Sequence, residues 1–230
     1  MKIAILMPTL ETLPVDTVGS LIGILKREQT TIYFASSSLV YDSRNQLMNI
    51  AYREKPDYVL WIDSDMVFPS DALDRLIQAD KDFITGLYFG RKNTHEPIIY
   101  RTVKPRTLRH NAINEVEDCI SEELFTVQGC GFGFVLMKNK VIEDMINAYR
   151  SPFEPYKNLG EDLSFCYRWR KLSKHNQIWC DSTIPIQHVG TQKFGRQDWQ
   201  QKTENGIITN DNVKTKSRWV RWKQKLRGMM

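Results

Sequence analysis

Short β-branched or aromatic runs alternate three times with stretches of helical apolar spacing within the first 80 residues. Few folds accept that order. It predicts an α/β domain whose mainly parallel sheet carries helices on its faces. Ile3 to Met7 reads as a buried strand ended by Pro8, and Val18, Leu21, Ile22 and Leu25 recur at helical spacing with Asp16 or Thr17 as N-cap. Thr31 to Ala35 suits a second strand. Ser43 and Gln46 suggest a capping box ahead of Leu47, Met48 and Ala51, and Lys55-Pro56-Asp57 breaks that helix. Tyr58 to Ile62 is apolar or aromatic throughout, as a strand covered on both faces should be. Ser70 then offers a cap for a short helix carrying Ala72, Leu73, Leu76 and Ile77.

The second half is mixed. Phe83 to Tyr88, Pro97 to Val103, Leu124 to Gln128 and Phe132 to Met137 read as strands, and Thr102 to Asn114 as a basic surface loop or hairpin. Asn139 caps a helix running to Tyr149, Arg150 to Leu159 is a proline-containing loop, and a helix spans Glu161 to Leu172. A strand at Gln177 to Cys180 and an extended piece ending at His188 follow. No G-x-G-x-x-G or Walker lysine loop follows the first strand, which disfavours a dinucleotide-binding Rossmann enzyme or a P-loop NTPase.

A chain of 230 residues holds one substantial domain and an appendage, and 41% hydrophobic with 26% charged residues argues against disorder and against a membrane bundle. Runs such as Tyr58 to Ile62 fall far short of the roughly 20 residues of a spanning helix. Pro8 and Glu11 cut the apolar start below the length of a secretory core, so no transmembrane segment and a cytoplasmic location are expected. Cys119, Cys130, Cys166 and Cys180 form no C-x-x-C pair and read as reduced thiols. From Lys214 onward there are seven Lys/Arg and no acidic residues, which leaves 25 basic against 27 acidic in residues 1–213. The basicity therefore belongs to the tail.

Asp63-Ser64-Asp65 follows the apolar third strand. In open α/β sheets ligands bind beyond the carboxyl ends of strands. Two carboxylates there suit a hard divalent cation that bridges protein to diphosphate oxygens, whereas the bland reading of the same triplet is a turn.

Leu60-Trp61-Ile62-Asp63-Ser64-Asp65-Met66 resembles the D-x-D segment of GT-A glycosyltransferases, in particular the family-2-like group. Ile5-Leu6-Met7-Pro8-Thr9 resembles their first strand and the turn that cradles the nucleotide base. Asp42-Ser43-Arg44-Asn45 resembles the "ARN" helix start, with Ser43 in place of the usual alanine. Gly129-Cys130-Gly131-Phe132-Gly133-Phe134 resembles the glycine-rich segment lining the sugar and acceptor pocket. Gly160-Glu161-Asp162 resembles the "ED" motif of the catalytic base, and His188-Val189-Gly190 the late metal-binding histidine.

The resemblance covers residues 1–190, the expected catalytic domain, and implies a GT-A fold with a Rossmann-like mixed sheet. It implies a transferase for hexosyl or pentosyl groups that uses Mn²⁺ or Mg²⁺ on Asp63, Asp65 and His188 and a UDP-sugar as donor. Pro8, Thr9, Arg44, Asp63, Ser64, Asp65 and Gly131 are its candidate donor-binding residues, with Arg44 pairing with diphosphate or helping to bind the base. Asp162 is the candidate base of an inverting reaction, beside Glu161; capping of the helix by these acids is the alternative. A retaining transferase of the same fold, a sugar nucleotidyltransferase, and a nucleic-acid- or membrane-binding module stay open as other readings. The 191–230 extension is basic, with Trp219, Trp222 and Leu226 at helical spacing. It suits a membrane surface, nucleic-acid phosphates or packing on the domain, and so an acceptor such as a modified DNA base or a cell-envelope glycan.

Overall fold

The computed structural model describes residues 1–91, 96–105 and 123–190, with the backbone of 201–203 and 206–208. Met1–Gly190 and Thr191–Met230 are separate compact units. The first begins with β1 (Ile3–Pro8), α1 (Val15–Leu25), β2 (Thr30–Ala35), α2 (Val40–Glu54) and β3 (Tyr58–Ile62). β4 (Met66–Val67), α3 (Ala72–Gln78), β5 (Phe83–Gly86), β6 (Ile99–Tyr100), β7 (Leu124–Val127), β8 (Gly129–Cys130) and β9 (Phe134–Lys138) follow. α4 (Asn139–Tyr149), α5 (Glu161–Leu172), β10 (Ile178–Asp181) and β11 (Gln187–His188) complete it. Within the second unit β12 (Gln201–Thr203) pairs antiparallel with β13 (Gly206–Ile208). The tryptophan stripe of the tail lies outside the described residues, as does Cys119.

Seven strands form the main sheet in the order β2-β1-β3-β9-β5-β10-β7. β1 runs parallel to β2 and β3, β5 runs parallel to β10, and β9 and β7 run against their neighbours. The sheet is thus mixed and mainly parallel, and β2, β1 and β3 are parallel because the α1 and α2 crossovers return the chain to the same end of the sheet before each strand.

Period-two alternation sends one set of side chains to each face. Ala4, Leu6, Val59, Trp61, Val135 and Met137 lie under Leu47 and Met48 of α2, Val141 and Met145 of α4, and Phe165 and Trp169 of α5. Ile3, Ile5, Met7, Leu60, Ile62 and Leu136 lie under Leu21 and Ile24 of α1 and Leu73 and Leu76 of α3. A sheet covered on both faces explains why Val59 to Ile62 are buried and apolar or aromatic throughout. No helix among the described residues is long and apolar enough to cross a membrane.

The helix starts depart from the expected caps. α1 begins at Val15 directly after Pro14, whose φ of −57° and ψ of 144° leave the chain extended, so neither Asp16 nor Thr17 is the N-cap. Its inward stripe is Thr17, Leu21 and Ile24, while Val18 and Ile22 are 38% and 56% exposed. α2 begins at Val40, which places Ser43 inside the helix as a buried residue. Gln46 Nε2 donates to Asp42 Oδ2 at 3.0 Å, and there is no capping box. Asp71 rather than Ser70 precedes α3, and Asn139 is the first residue of α4 rather than its cap. The strand expected over 97–103 shrinks to β6, which pairs with β8 outside the main sheet.

Candidate functional site

α1 carries β1 to β2 on one side, whereas β3 leads onward to the other side of the sheet. The carboxyl ends of β1 and β3 therefore flank a switch in strand order, where α/β sheets leave a crevice. A cleft of about 220 Å³ opens there, lined by Pro8, Thr9, Leu10, Ser43, Asp63 and Ser64 with Ser37, Ser38 and Val40. Thr9 N–H donates to the Ala35 carbonyl at 3.0 Å, joining the ends of β1 and β2, and Thr9 Oγ1 is buried without a hydrogen bond.

The two acids beyond β3 turn to different partners. Asp63 N–H donates to the Gly133 carbonyl at 3.1 Å, and its Oδ1 accepts from Arg44 Nη2 at 2.9 Å. Arg44 Nε lies 3.4 Å from Asp162 Oδ1. The guanidinium is 2% exposed, with its Cζ 5.9, 5.4 and 5.8 Å from the ring centroids of Trp61, Phe132 and Phe153. Burial works against its charge, but Asp162 and Asp63 outweigh that and hold it above the ordinary arginine value. A cation in such a place persists because it is paired and faces aromatic rings. Arg44 thus points inward between two acids and does not line the cleft.

Asp162 is the second residue of α5, and its Oδ2 accepts from Phe132 N–H at 3.3 Å. A quarter of the side chain is exposed, but Oδ1 is sealed from solvent. Burial pushes its pKa up to about 7, with Glu161 and Asp63 adding to the rise and Arg44 and the Phe132 N–H opposing it.

Asp65 faces the β4–β11 ladder, in which His188 registers opposite Met66 and Val189 N–H donates to the Asp65 carbonyl at 2.7 Å. His188 Nε2 lies 3.2 Å from Asp65 Oδ1, and Arg91 Nη1 lies 2.7 Å from Oδ2. His188 Nδ1 donates to the Phe89 carbonyl at 3.1 Å, an oxygen that can only accept. Burial raises the Asp65 pKa, but His188 and Arg91 more than reverse this and leave it below the usual carboxylate value.

Of the three expected metal ligands, the structure brings together Asp65 and His188. Asp63 is held by Arg44, and no group of three or more His, Cys, Asp or Glu residues suited to a metal occurs among the described residues. The remaining pair offers a divalent cation one carboxylate and one imidazole, with Nδ1–H turned to the Phe89 carbonyl and Nε2 toward Asp65. To bind there, a cation would displace the proton between Nε2 and Asp65 and the Arg91 contact on Oδ2.

The glycine-rich segment serves the protein's own side chains. A Cβ on Gly131 would stand 2.2 Å from the Tyr88 hydroxyl, and one on Gly133 would stand 2.7 Å from Tyr88 Cζ. Gly133 N–H donates to that hydroxyl at 3.0 Å. Gly131 therefore admits Tyr88 instead of presenting bare backbone to a ligand. Tyr88 was not among the residues picked out by motif. Its ring meets His188 edge-on at 5.7 Å, and burial followed by the charges of Asp63 and Asp162 raises its pKa. The alternating glycines were its one signal in the sequence, since they announce a close approach without saying by what.

No family model matches the chain, and no curated protein matches it. Among solved structures, it is similar to the crystal structure of A197 from STIV, with a TM-score of 0.58 and 17% identity over 83% of this chain and 87% of that one. The crystal structure of a mycobacterial protein gives a TM-score of 0.48 and 11% identity over 83% of this chain and 68% of that one. At such identities the likeness to A197 shows a shared α/β fold.

Proposed function

We propose that the chain is a metal-dependent glycosyltransferase of the GT-A type, moving a sugar from a nucleoside diphosphate sugar, in the first instance a UDP-sugar, to a hydroxyl acceptor. The observation that carries this reading is the division of labour within Asp63-Ser64-Asp65. One acid pairs with His188, the other borders a cleft at the strand switch, and Arg44 links the latter to Asp162.

Pro8, Thr9 and Ser64 would cradle the nucleoside, and Asp63 at the same cleft would accept from the ribose hydroxyls. Asp65 and His188 would hold Mn²⁺ or Mg²⁺, which supplies positive charge against the diphosphate as it leaves. Arg91, half exposed and now paired with Asp65 Oδ2, would pair with a phosphate oxygen of the donor. Asp162 would take the proton from the acceptor hydroxyl, giving inversion. A carboxyl raised to about 7 is better matched to that task than an ordinary aspartate. Glu161, at the same helix start, would orient the acceptor.

A thermal-shift screen of UDP-, GDP- and CMP-sugars with and without Mn²⁺ tests the reading, since a ligand that binds the folded state raises its melting temperature. A shift that requires both a nucleotide sugar and the cation, and that disappears in Asp65→Ala, is the expected result. The absence of any nucleotide-sugar shift would overturn the proposal.

A further inference from the structure

The proposed reaction uses Asp63 on the donor side and Asp162 on the acceptor side, and the structure places one buried cation between them. Arg44 is carried by α2, whereas Asp63 follows β3 directly and Asp162 is the second residue of α5. Two consecutive elements and a third, distant in sequence, thus meet through a single guanidinium. Its Nη2 donates to Asp63 Oδ1 at 2.9 Å, while Nε lies 3.4 Å from Asp162 Oδ1 as an ion pair without a hydrogen bond. The ring centroids of Trp61, Phe132 and Phe153 lie 5.9, 5.4 and 5.8 Å from its Cζ. With 2% exposure it has no path to a phosphate in the cleft.

We propose that Arg44 is a positioning residue: it fixes Asp162 relative to Asp63, and so the acceptor hydroxyl relative to the donor, without itself touching the donor. This rests on the glycosyltransferase reading for the identity of the two substrates, but not for the linkage between the two acids.

A lysine would not reproduce the arrangement, because a single ammonium lacks the fork that serves two carboxylates from one plane. Several groups bear on the charge of Asp162. Arg44 comes from α2, Asp63 from the end of β3, and Glu161 from α5 itself. Tyr88 follows β5, Tyr100 lies on β6, and Cys130 on β8. Arg44 is the cation in this set, so its loss raises the affinity of Asp162 for a proton.

The test compares the full chain with Arg44→Gln and Arg44→Lys. UDP affinity with Mn²⁺ is measured by calorimetry, kcat and KM by sugar transfer, and the Asp162 titration by NMR of ¹³C-carboxyl aspartate, assigned with Asp162→Asn. In Arg44→Gln, UDP affinity is expected to stay within about threefold while kcat falls on the order of a hundredfold, the scale of a misplacement near 1 Å. The Asp162 midpoint is expected to rise by at least about one pH unit. Arg44→Lys is expected to recover part of kcat. A tenfold or larger loss of UDP affinity with kcat kept would make Arg44 a donor ligand and overturn the proposal, as would an unmoved Asp162 midpoint. If Arg44→Gln does not fold, Arg44→Lys decides: an intermediate kcat with unchanged UDP affinity supports the role, and a wild-type kcat overturns it. If the wild-type chain transfers no sugar, the glycosyltransferase reading fails, and the Asp162 midpoint still judges the positioning role.

Discussion

The Nε2 of His188 stands 3.2 Å from Oδ1 of Asp65, although the two residues lie 123 positions apart in sequence. The contact exists because β11 pairs antiparallel with β4, immediately after the acids that follow β3.

That pair is the proposed cation site, so either side chain is needed for cation-dependent donor binding. Asp65→Ala and His188→Ala are each expected to weaken Mn²⁺-dependent UDP binding by about tenfold or more, the scale on which even partners of metal ligands act. Calorimetry with and without Mn²⁺ checks this. Equal affinity in both variants and the wild type would remove the pair from the site.

Asp162 carries two consequences of its raised pKa. As a base it must be ionised, so kcat/KM is expected to rise with pH through about 7, and Asp162→Asn to lower kcat by about 10²–10⁴-fold. For stability the direction is opposite. The folded carboxyl keeps its proton up to about 7, whereas an unfolded aspartate loses it near 3.9. The native state therefore binds more protons between about pH 4 and 7, and this group's contribution to stability falls as pH rises through that window. Urea denaturation at pH 5 and pH 8 is expected to show a drop in the wild type that shrinks in Asp162→Asn.

Tyr88 and the glycines beside it form one packing unit. Gly133→Ala would push a methyl to 2.7 Å from the Tyr88 ring and is expected to cost about 1–3 kcal/mol. Tyr88→Phe leaves the buried Gly133 N–H without its partner, at a similar cost of about 1–3 kcal/mol. Denaturation midpoints measure both, and a neutral Gly133→Ala would contradict the packing described.

The orientation of α1 is also open to measurement. Leu21 is 4% exposed and Ile22 is 56% exposed. Leu21→Ala is expected to cost about 2–5 kcal/mol, and Ile22→Glu to stay within about 0.5 kcal/mol. The reverse order would mean that the helix is rotated.

Strand and helix identities were legible wherever each rests on a local pattern. The apolar run Tyr58 to Ile62 and the helix from Glu161 to Leu172 needed only burial on two faces and a charged first turn. Cap positions were not legible, since Asp16, Ser43, Ser70 and Asn139 all have the right chemistry and the backbone path alone selects among them. Nor was the buried face of α1. Val18, Leu21, Ile22 and Leu25 make a plausible stripe, and the docking of α1 on the sheet buries only Leu21 of the four.

The site divides in the same way. That two acids follow a buried strand and a second acidic pair opens a late helix can be read along the chain, because strand ends and helix starts are local events. Which acid meets which partner depends on how distant elements pack. Asp65 reaches His188 through a ladder between distant strands, and Asp63 reaches Asp162 through an arginine buried among three aromatic rings. The physical reason lies in what fixes each feature. Spacing along the chain sets a side chain's direction from its own backbone, whereas a salt bridge depends on the packing of separate elements, which no single segment contains.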